Sequence, residues 1–276
     1  MIKYTLFKQV KVRYSDRGKG HVLVLLHGFL EDLEMWDDFS KELSKFFRVI
    51  CIDLPGFGET PAIGFVLTME LGANCVKAVL DKEKLKRYVI VGHSMGGYVA
   101  LAFSDLFRDN VKGLGLFHST ALDDSPEKKE SRDKSISLVK KNPGKYIEIF
   151  FAGLFAPLNV PRFRSEINVF QKRAKGLTKQ AIVNTLEGMK DRKRMDWVLE
   201  MAEFPVLFII GKYDAAIPYE PVLNQVQLVK DPTVLFLENA GHMGFLEERE
   251  LTLSAVKKFT RRAFVGSPMI SAIVPI

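Results

Sequence analysis

The chain has 276 residues, 47% of them hydrophobic and 26% charged, with a net charge of +7. That length suits one large α/β domain with an inserted subdomain, or at most two small domains, and the composition is that of a soluble globular protein with a sizeable, partly aromatic core. Two cysteines, Cys51 and Cys75, exclude a disulfide scaffold, no C-x-x-C spacing offers a metal site, and no apolar run is long enough for a signal peptide or a membrane span, so a cytoplasmic protein with two reduced, buried thiols is expected.

Lys8 to Ser15 alternates apolar and polar residues, as an edge strand does. The runs at 22–26, 48–53, 88–92, 111–118, 205–211 and 233–238 are continuously apolar, which predicts parallel strands covered on both faces. Helical spacing fills the intervals at 38–46, 68–80, 96–107 and 246–264. Strands alternating with helices predict an α/β fold with a mostly parallel, doubly wound sheet. The alternation breaks after Ser119, where about 85 residues separate two strands and read as helices at 125–141, 145–151, 161–175 and 178–190. This is more helix than one crossover needs. It predicts a core of residues 1–122 and 201–276 carrying a helical cap, 123–200, over the sheet's carboxyl edge, where ligands bind in open α/β folds. Between Asp123 and Asp196 there are 17 Lys and Arg against 10 Asp and Glu, so the whole positive excess falls in the cap. A solvated helical face accounts for it; a site for an acidic partner is the sharper alternative.

Gly92-His93-Ser94-Met95-Gly96-Gly97 follows an apolar strand and opens a helix, which is the setting of the G-x-S-x-G nucleophile elbow. The serine needs a strained turn to rise above the sheet, and side chains two positions either side would strike the neighbouring strand and helix. With Leu26-His27-Gly28-Phe29, Asp53-Leu-Pro-Gly-Phe-Gly58, Gly211-Lys-Tyr-Asp214 and Ala240-Gly-His242, the sequence from about Lys8 to Phe264 resembles the α/β-hydrolase superfamily, in its capped esterase and perhydrolase-like branch.

The resemblance implies a catalytic triad in the order Ser94, Asp214, His242. Asp214 follows the end of an apolar strand, where its carboxylate can orient an imidazole. His242 lies in a loop bounded by glycines, which suits a base that must reach the serine. Of the five histidines, His118 is the one serious rival, and it has no acidic residue at a motif position to orient it. The oxyanion hole is expected from the backbone N–H groups of Met95, after the nucleophile, and Phe29, at the family's matching position. Asp53 and His27 read as structural braces. Gly56-Phe57-Gly58 is not a nucleotide-binding fingerprint, so neither a cofactor nor a metal is expected. The apolar stretch from Phe150 to Leu158 suits a pocket roof for an apolar acyl or alcohol group, or simple packing on the core.

The expected reaction is hydrolysis of a small or medium carboxylic ester through an acyl-enzyme. The same triad serves lactones, amides, perhydrolysis with peroxide and carbon–carbon cleavage. Serine at the nucleophile position argues against the dehalogenase and epoxide hydrolase branches, which resemble this fold but use aspartate there. A ligand receptor on the same scaffold, with little turnover, is the alternative of another class. No nucleic acid and no stable membrane association are expected. The apolar tail from Val265 to Ile276 is open to three readings: a frayed terminus, an added strand, or an arm exchanged in a homodimer.

Overall fold

A computed structural model describes residues 1–265, so the tail beyond Val265 lies outside the described residues. The chain enters on a hairpin, β1 (Ile2–Phe7) and β2 (Val10–Arg17). Lys8 and Gln9 turn it with φ of 45° and 68°, the pair of left-handed residues that a tight hairpin requires. The edge strand is therefore β1, which the sequence reading left unassigned. The alternation from Lys8 to Ser15 belongs to the turn and to β2, which is paired on both sides.

From there strands and helices alternate: β3 (Val22–Leu26), α1 (Asp37–Leu43), β4 (Arg48–Ile52), α2 (Met69–Lys82), β5 (Tyr88–His93), α3 (Met95–Leu106) and β6 (Val111–Phe117). Five helices precede the next strand: α4 (Pro126–Lys141), α5 (Pro143–Ala152), α6 (Arg164–Ala174), α7 (Lys179–Lys190) and the short α8 (Asp196–Glu200). The chain then closes through β7 (Val206–Gly211), α9 (Tyr219–Val226), β8 (Pro232–Leu237), α10 (Gly244–Glu247) and α11 (Arg249–Val265). Helix starts follow the capping chemistry of the sequence. Thr68, Ser125 and Thr178 each accept a hydrogen bond from the backbone N–H three residues on, and Pro126 takes the first position of α4. Neither α8 nor α9 is evident from periodicity, because both are short. The last expected helix is divided at Glu248, which leaves the helical region with φ −132°.

The eight strands form one sheet in the order β1-β2-β4-β3-β5-β6-β7-β8. The first two pairings are antiparallel and all the others parallel. β3, β5 and β7 are buried along their whole length, as their unbroken apolar runs require. Cys51 and Cys75 are free and buried, and burial pushes both thiols up to about 12, which leaves them unreactive.

In the helical segment, α4 packs on α5 and α7, and α5 on α6. The segment is tied to loops leaving the carboxyl ends of three strands. Arg173 reaches Asp32 and Glu34 after β3, Asn184 donates to the Gly64 carbonyl after β4, and the Leu154 carbonyl accepts from His242 N–H after β8. Among the described residues no helix is long and apolar enough to cross a membrane.

Candidate active site

Parallel strands deliver their following residues to one edge of the sheet. Here that edge gathers His27, Ser94, His118, Asp214 and His242 from the loops after β3, β5, β6, β7 and β8. Ser94 sits between β5 and α3 with φ 50° and ψ −117°, a strained conformation for a residue with a side chain. The glycines either side permit it. A Cβ on Gly92 would fall 2.1 Å from the Gly96 carbonyl oxygen, and one on Gly96 would fall 2.6 Å from the main chain of Leu26 and His27. Ser94 is partly exposed, whereas its four nearest neighbours in sequence are buried.

Asp214 is buried, yet every lone-pair direction of its carboxylate is used. Oδ1 accepts from Ala216 and Ile217 N–H at 2.9 and 2.8 Å. Oδ2 accepts from His242 Nδ1 at 2.8 Å and from His118 Nδ1 at 3.1 Å. Burial opposes ionisation, but the neighbouring imidazoles and their hydrogen bonds outweigh it and hold Asp214 well below the usual carboxylate range. The expectation that His118 lacks an acidic partner is thus corrected. β6 and β7 are adjacent, so the residues that follow them meet at the sheet edge.

The two histidines on Asp214 are nevertheless unlike. His118 Nε2 accepts from Gly244 N–H at 3.2 Å, so Nδ1 carries its proton and both nitrogens are committed. Burial lowers His118 to about 4, which keeps it neutral. His242 donates its main-chain N–H to Leu154 and meets Asp214 through Nδ1, while its Nε2 makes no hydrogen bond among the described residues. The Ser94 hydroxyl makes none either, an open geometry common before substrate binds. His118, Asp214 and His242 are also the one group among the described residues close enough to hold a metal ion. Their contacts of 2.8 and 3.1 Å are hydrogen-bond lengths, and each Nδ1 proton already serves Asp214.

Glu247 was not singled out from the sequence, yet it shapes the loop that carries His242. Its Oε1 accepts from Gly241 and Met243 N–H, and its Oε2 from Ala156 N–H and Asn159 Nδ2. Nothing in a short helical turn marks one acid as buried; only tertiary contacts do. On the opposite side, His27 Nδ1–H donates to the Gly28 carbonyl while its Nε2 accepts from Leu54 N–H. Asp53 accepts from Leu33 and Glu59 N–H. Both are braces of the loop, as read from the sequence. The Phe29 ring meets Phe150 at 5.4 Å and Tyr146 at 6.4 Å, both on α5. The backbone N–H groups of Phe29 and Met95 donate to no acceptor among the described residues.

Residues 21–249 match the family model of the alpha/beta hydrolase fold. The chain is 29% identical, over 88% of its length, to the dihydrolipoyllysine-residue acetyltransferase component of the acetoin cleaving system of Pseudomonas putida, of which it spans 64%. It is 26% identical to a 2-hydroxy-6-oxononadienedioate/2-hydroxy-6-oxononatrienedioate hydrolase of Burkholderia vietnamiensis, with 92% of each chain covered. The solved structure of a thermophilic esterase from Thermogutta terrifontis superposes with a TM-score of 0.87 at 29% identity, over 95% of this chain and 97% of that one. The strained serine, the ordered carboxylate–histidine pair and the strand order thus stand in a chain that belongs to the alpha/beta hydrolase fold family, a family of enzymes, and that is a hydrolase of it.

Proposed function

We propose that the protein is a metal-free, cytoplasmic carboxylesterase with Ser94 as nucleophile, His242 as general base and Asp214 as the acid that orients it. One observation carries this reading: His242 alone among the histidines at the sheet edge pairs one nitrogen with a carboxylate and keeps the other uncommitted. His242 Nε2 takes the proton from the Ser94 hydroxyl as the oxygen attacks the ester carbonyl. The N–H groups of Phe29 and Met95 receive the developing oxyanion, and their lack of an acceptor among the described residues supports that role. The imidazolium then returns the proton to the leaving alcohol, giving an acyl-Ser94. Water repeats the attack with His242 as base and releases the acid.

Residues 123–200 act in this reading as a cap on the core formed by 1–122 and 201–276. The meeting of Phe150 and Tyr146 with Phe29 beside the oxyanion loop supports an apolar acyl pocket beneath it. A second reading, carbon–carbon hydrolysis by the same triad, is favoured by the full-length likeness to the Burkholderia hydrolase. A panel of short and long p-nitrophenyl esters beside a vinylogous diketone separates the two. The esterase reading expects multiple turnover on the esters, with a burst of one p-nitrophenol per chain, and loss of both in Ser94→Ala at an unchanged melting temperature. A Ser94→Ala protein that melts normally and keeps its activity overturns it.

A further inference from the structure

A second carboxylate–histidine pair lies beside the nucleophile, and the mechanism above gives it no task. Glu31 follows Gly28 by three residues, His93 immediately precedes Ser94, and both side chains are 1% exposed. Glu31 Oε2 accepts from Gly28 N–H at 2.6 Å and lies 2.9 Å from His93 Nδ1. The other ring nitrogen, Nε2, lies 2.9 Å from the main-chain carbonyl oxygen of His242. A carbonyl oxygen can only accept, so Nε2 carries a proton. At Nδ1 the partner is a carboxylate that also takes an N–H and whose Oε1 has no other partner, so an ionised Glu31 needs a second proton there. His93 is then an imidazolium. Burial works against both charges, but the Glu31 charge and hydrogen bond raise His93 above its ordinary value, and His93 in turn lowers Glu31. The other titratable groups around the ring are His242, 4.9 Å away between centroids, His118 at 6.1 Å, Asp214 and the neutral His27. Trp36, Phe117 and Phe245 pack on the rest of it, so water does not screen the pair. Gly28 is part of the same junction: a Cβ there would stand 2.6 Å from Glu31 Oε2, 2.8 Å from His93 Nδ1 and 3.2 Å from the Ser94 Cβ.

We propose that Glu31 and His93 form a buried ion pair that positions the general base, fastening the main chain at His242 to the loop that supplies the oxyanion donor. His93 is a positioning residue here: it touches the carbonyl of the base, not the reacting atoms. The inference rests on the assignment of Ser94 and His242 above. It adds that the distance between oxyanion loop and base is set by one three-part bridge, Gly28 N–H to Glu31, Glu31 to His93, and His93 to the His242 carbonyl.

Two variants and one spectrum test it on the full chain. Glu31→Gln keeps the shape but not both contacts, because one oxygen, Oε2, serves Gly28 and Nδ1: with its amide turned in it donates to Nδ1, gives up the Gly28 N–H contact, and leaves His93 neutral with Nε2–H still on the His242 carbonyl. His93→Asn cannot span the gap. Proton and nitrogen spectra of ring-labelled protein at pH 7.5 are expected to show two N–H protons on His93 in the wild type and one in Glu31→Gln. His93→Asn is expected to lower kcat by about tenfold or more with KM nearly constant, because a small misplacement of the base costs chemistry rather than binding. Glu31→Gln is expected to lose less kcat than His93→Asn, because the link from His93 to the His242 carbonyl remains. A single ring proton in the wild type overturns the ion pair. Loss of kcat in Glu31→Gln as large as in His93→Asn, or none in His93→Asn, overturns the positioning role. The spectrum does not depend on turnover, and Ser94→Ala and His242→Ala report on the triad itself, so failure of the triad assignment is distinguishable from failure of the bridge.

Discussion

Two buried acid–histidine pairs stand side by side at the sheet edge, and they differ in which nitrogens are left over. In Glu31–His93 both ring nitrogens have partners, one a carboxylate and one a carbonyl. In Asp214–His242 only Nδ1 is held among the described residues. Asp214 adds an internal control, because it also holds His118, whose second nitrogen is closed by Gly244. An acid beside a histidine therefore does not mark a base. What marks it in the proposed mechanism is an acid on one nitrogen and, among the described residues, no partner on the other. In that reading the closed pairs fix the loops, and the open one is free to move a proton.

The largest expected effect falls on the acid of the open pair. Asp214→Asn presents an amide where Oδ2 meets two Nδ1 donors, so the His242 tautomer is no longer imposed. By the precedent of another triad enzyme, kcat is expected to fall by about 10⁴-fold. A loss of less than tenfold, measured at saturating ester, would show that the shared carboxylate is structural only. Next comes His118. His118→Ala removes one hydrogen bond to a charged acceptor and is expected to cost about tenfold in kcat/KM, while the rising acid limb of the pH profile is kept. His118→Asn, whose amide can still donate to Asp214, is expected to recover most of that. If His118→Ala were inactive and His242→Ala were not, the roles assigned to the open and closed rings would have to be exchanged. Smaller still is Glu247→Gln. It sets an amide group against two of the four donors, because each oxygen accepts two, and is expected to lower the melting temperature by about 5 °C, on the basis of about 1–3 kcal/mol for an unsatisfied buried group. An unchanged melt would mean that the His242 loop is held by its other contacts, such as His242 N–H to Leu154.

The legible parts of the molecule were those set by local sequence. Unbroken apolar runs gave the parallel strands, and the elbow's glycines gave the strained turn, because both depend on neighbours in the chain. β1 carries the alternation of a half-buried strand, Ile2-Lys3-Tyr4-Thr5-Leu6, yet the structure exposes its apolar residues, so the pattern gives the strand but points to the wrong face. The acidic partners of His93 and His118 escaped notice. Glu31 and His93 are 62 residues apart, and Asp214 and His118 are 96 apart. Only strand order brings such residues together, and the order within the sheet, with β4 on the far side of β3 from β5, is not written in any one segment. The same holds for the four donors gathered by Glu247.

The closed histidines also differ from each other, and acidity separates them. Folded His118 stays neutral down to about pH 4, because burial disfavours its charge, whereas an unfolded histidine takes up a proton near roughly pH 6.5. Between these values the unfolded chain binds more protons, so His118 makes the fold less stable as the pH falls through that window. His93 is raised, so its sign is opposite. Its stabilisation is complete below the unfolded value and is lost as the pH rises through its folded one. Asp214, held low, stabilises above the ordinary carboxylate range and loses that contribution only in stronger acid. Over pH 6.5 to 4.5 the difference between wild type and a variant at position 118 thus isolates one ring. His118→Asn keeps the donor to Asp214 and removes the titration. Its melting temperature is expected to fall less than that of the wild type on going from pH 6.5 to 4.5, by a few degrees at about 2–4 °C per kcal/mol for a chain of this size. His27, also held neutral by burial, contributes equally to both proteins and cancels. Parallel melting curves for the two proteins would mean that His118 takes up its proton in the folded state as readily as in the unfolded one, and its second nitrogen would then not be closed.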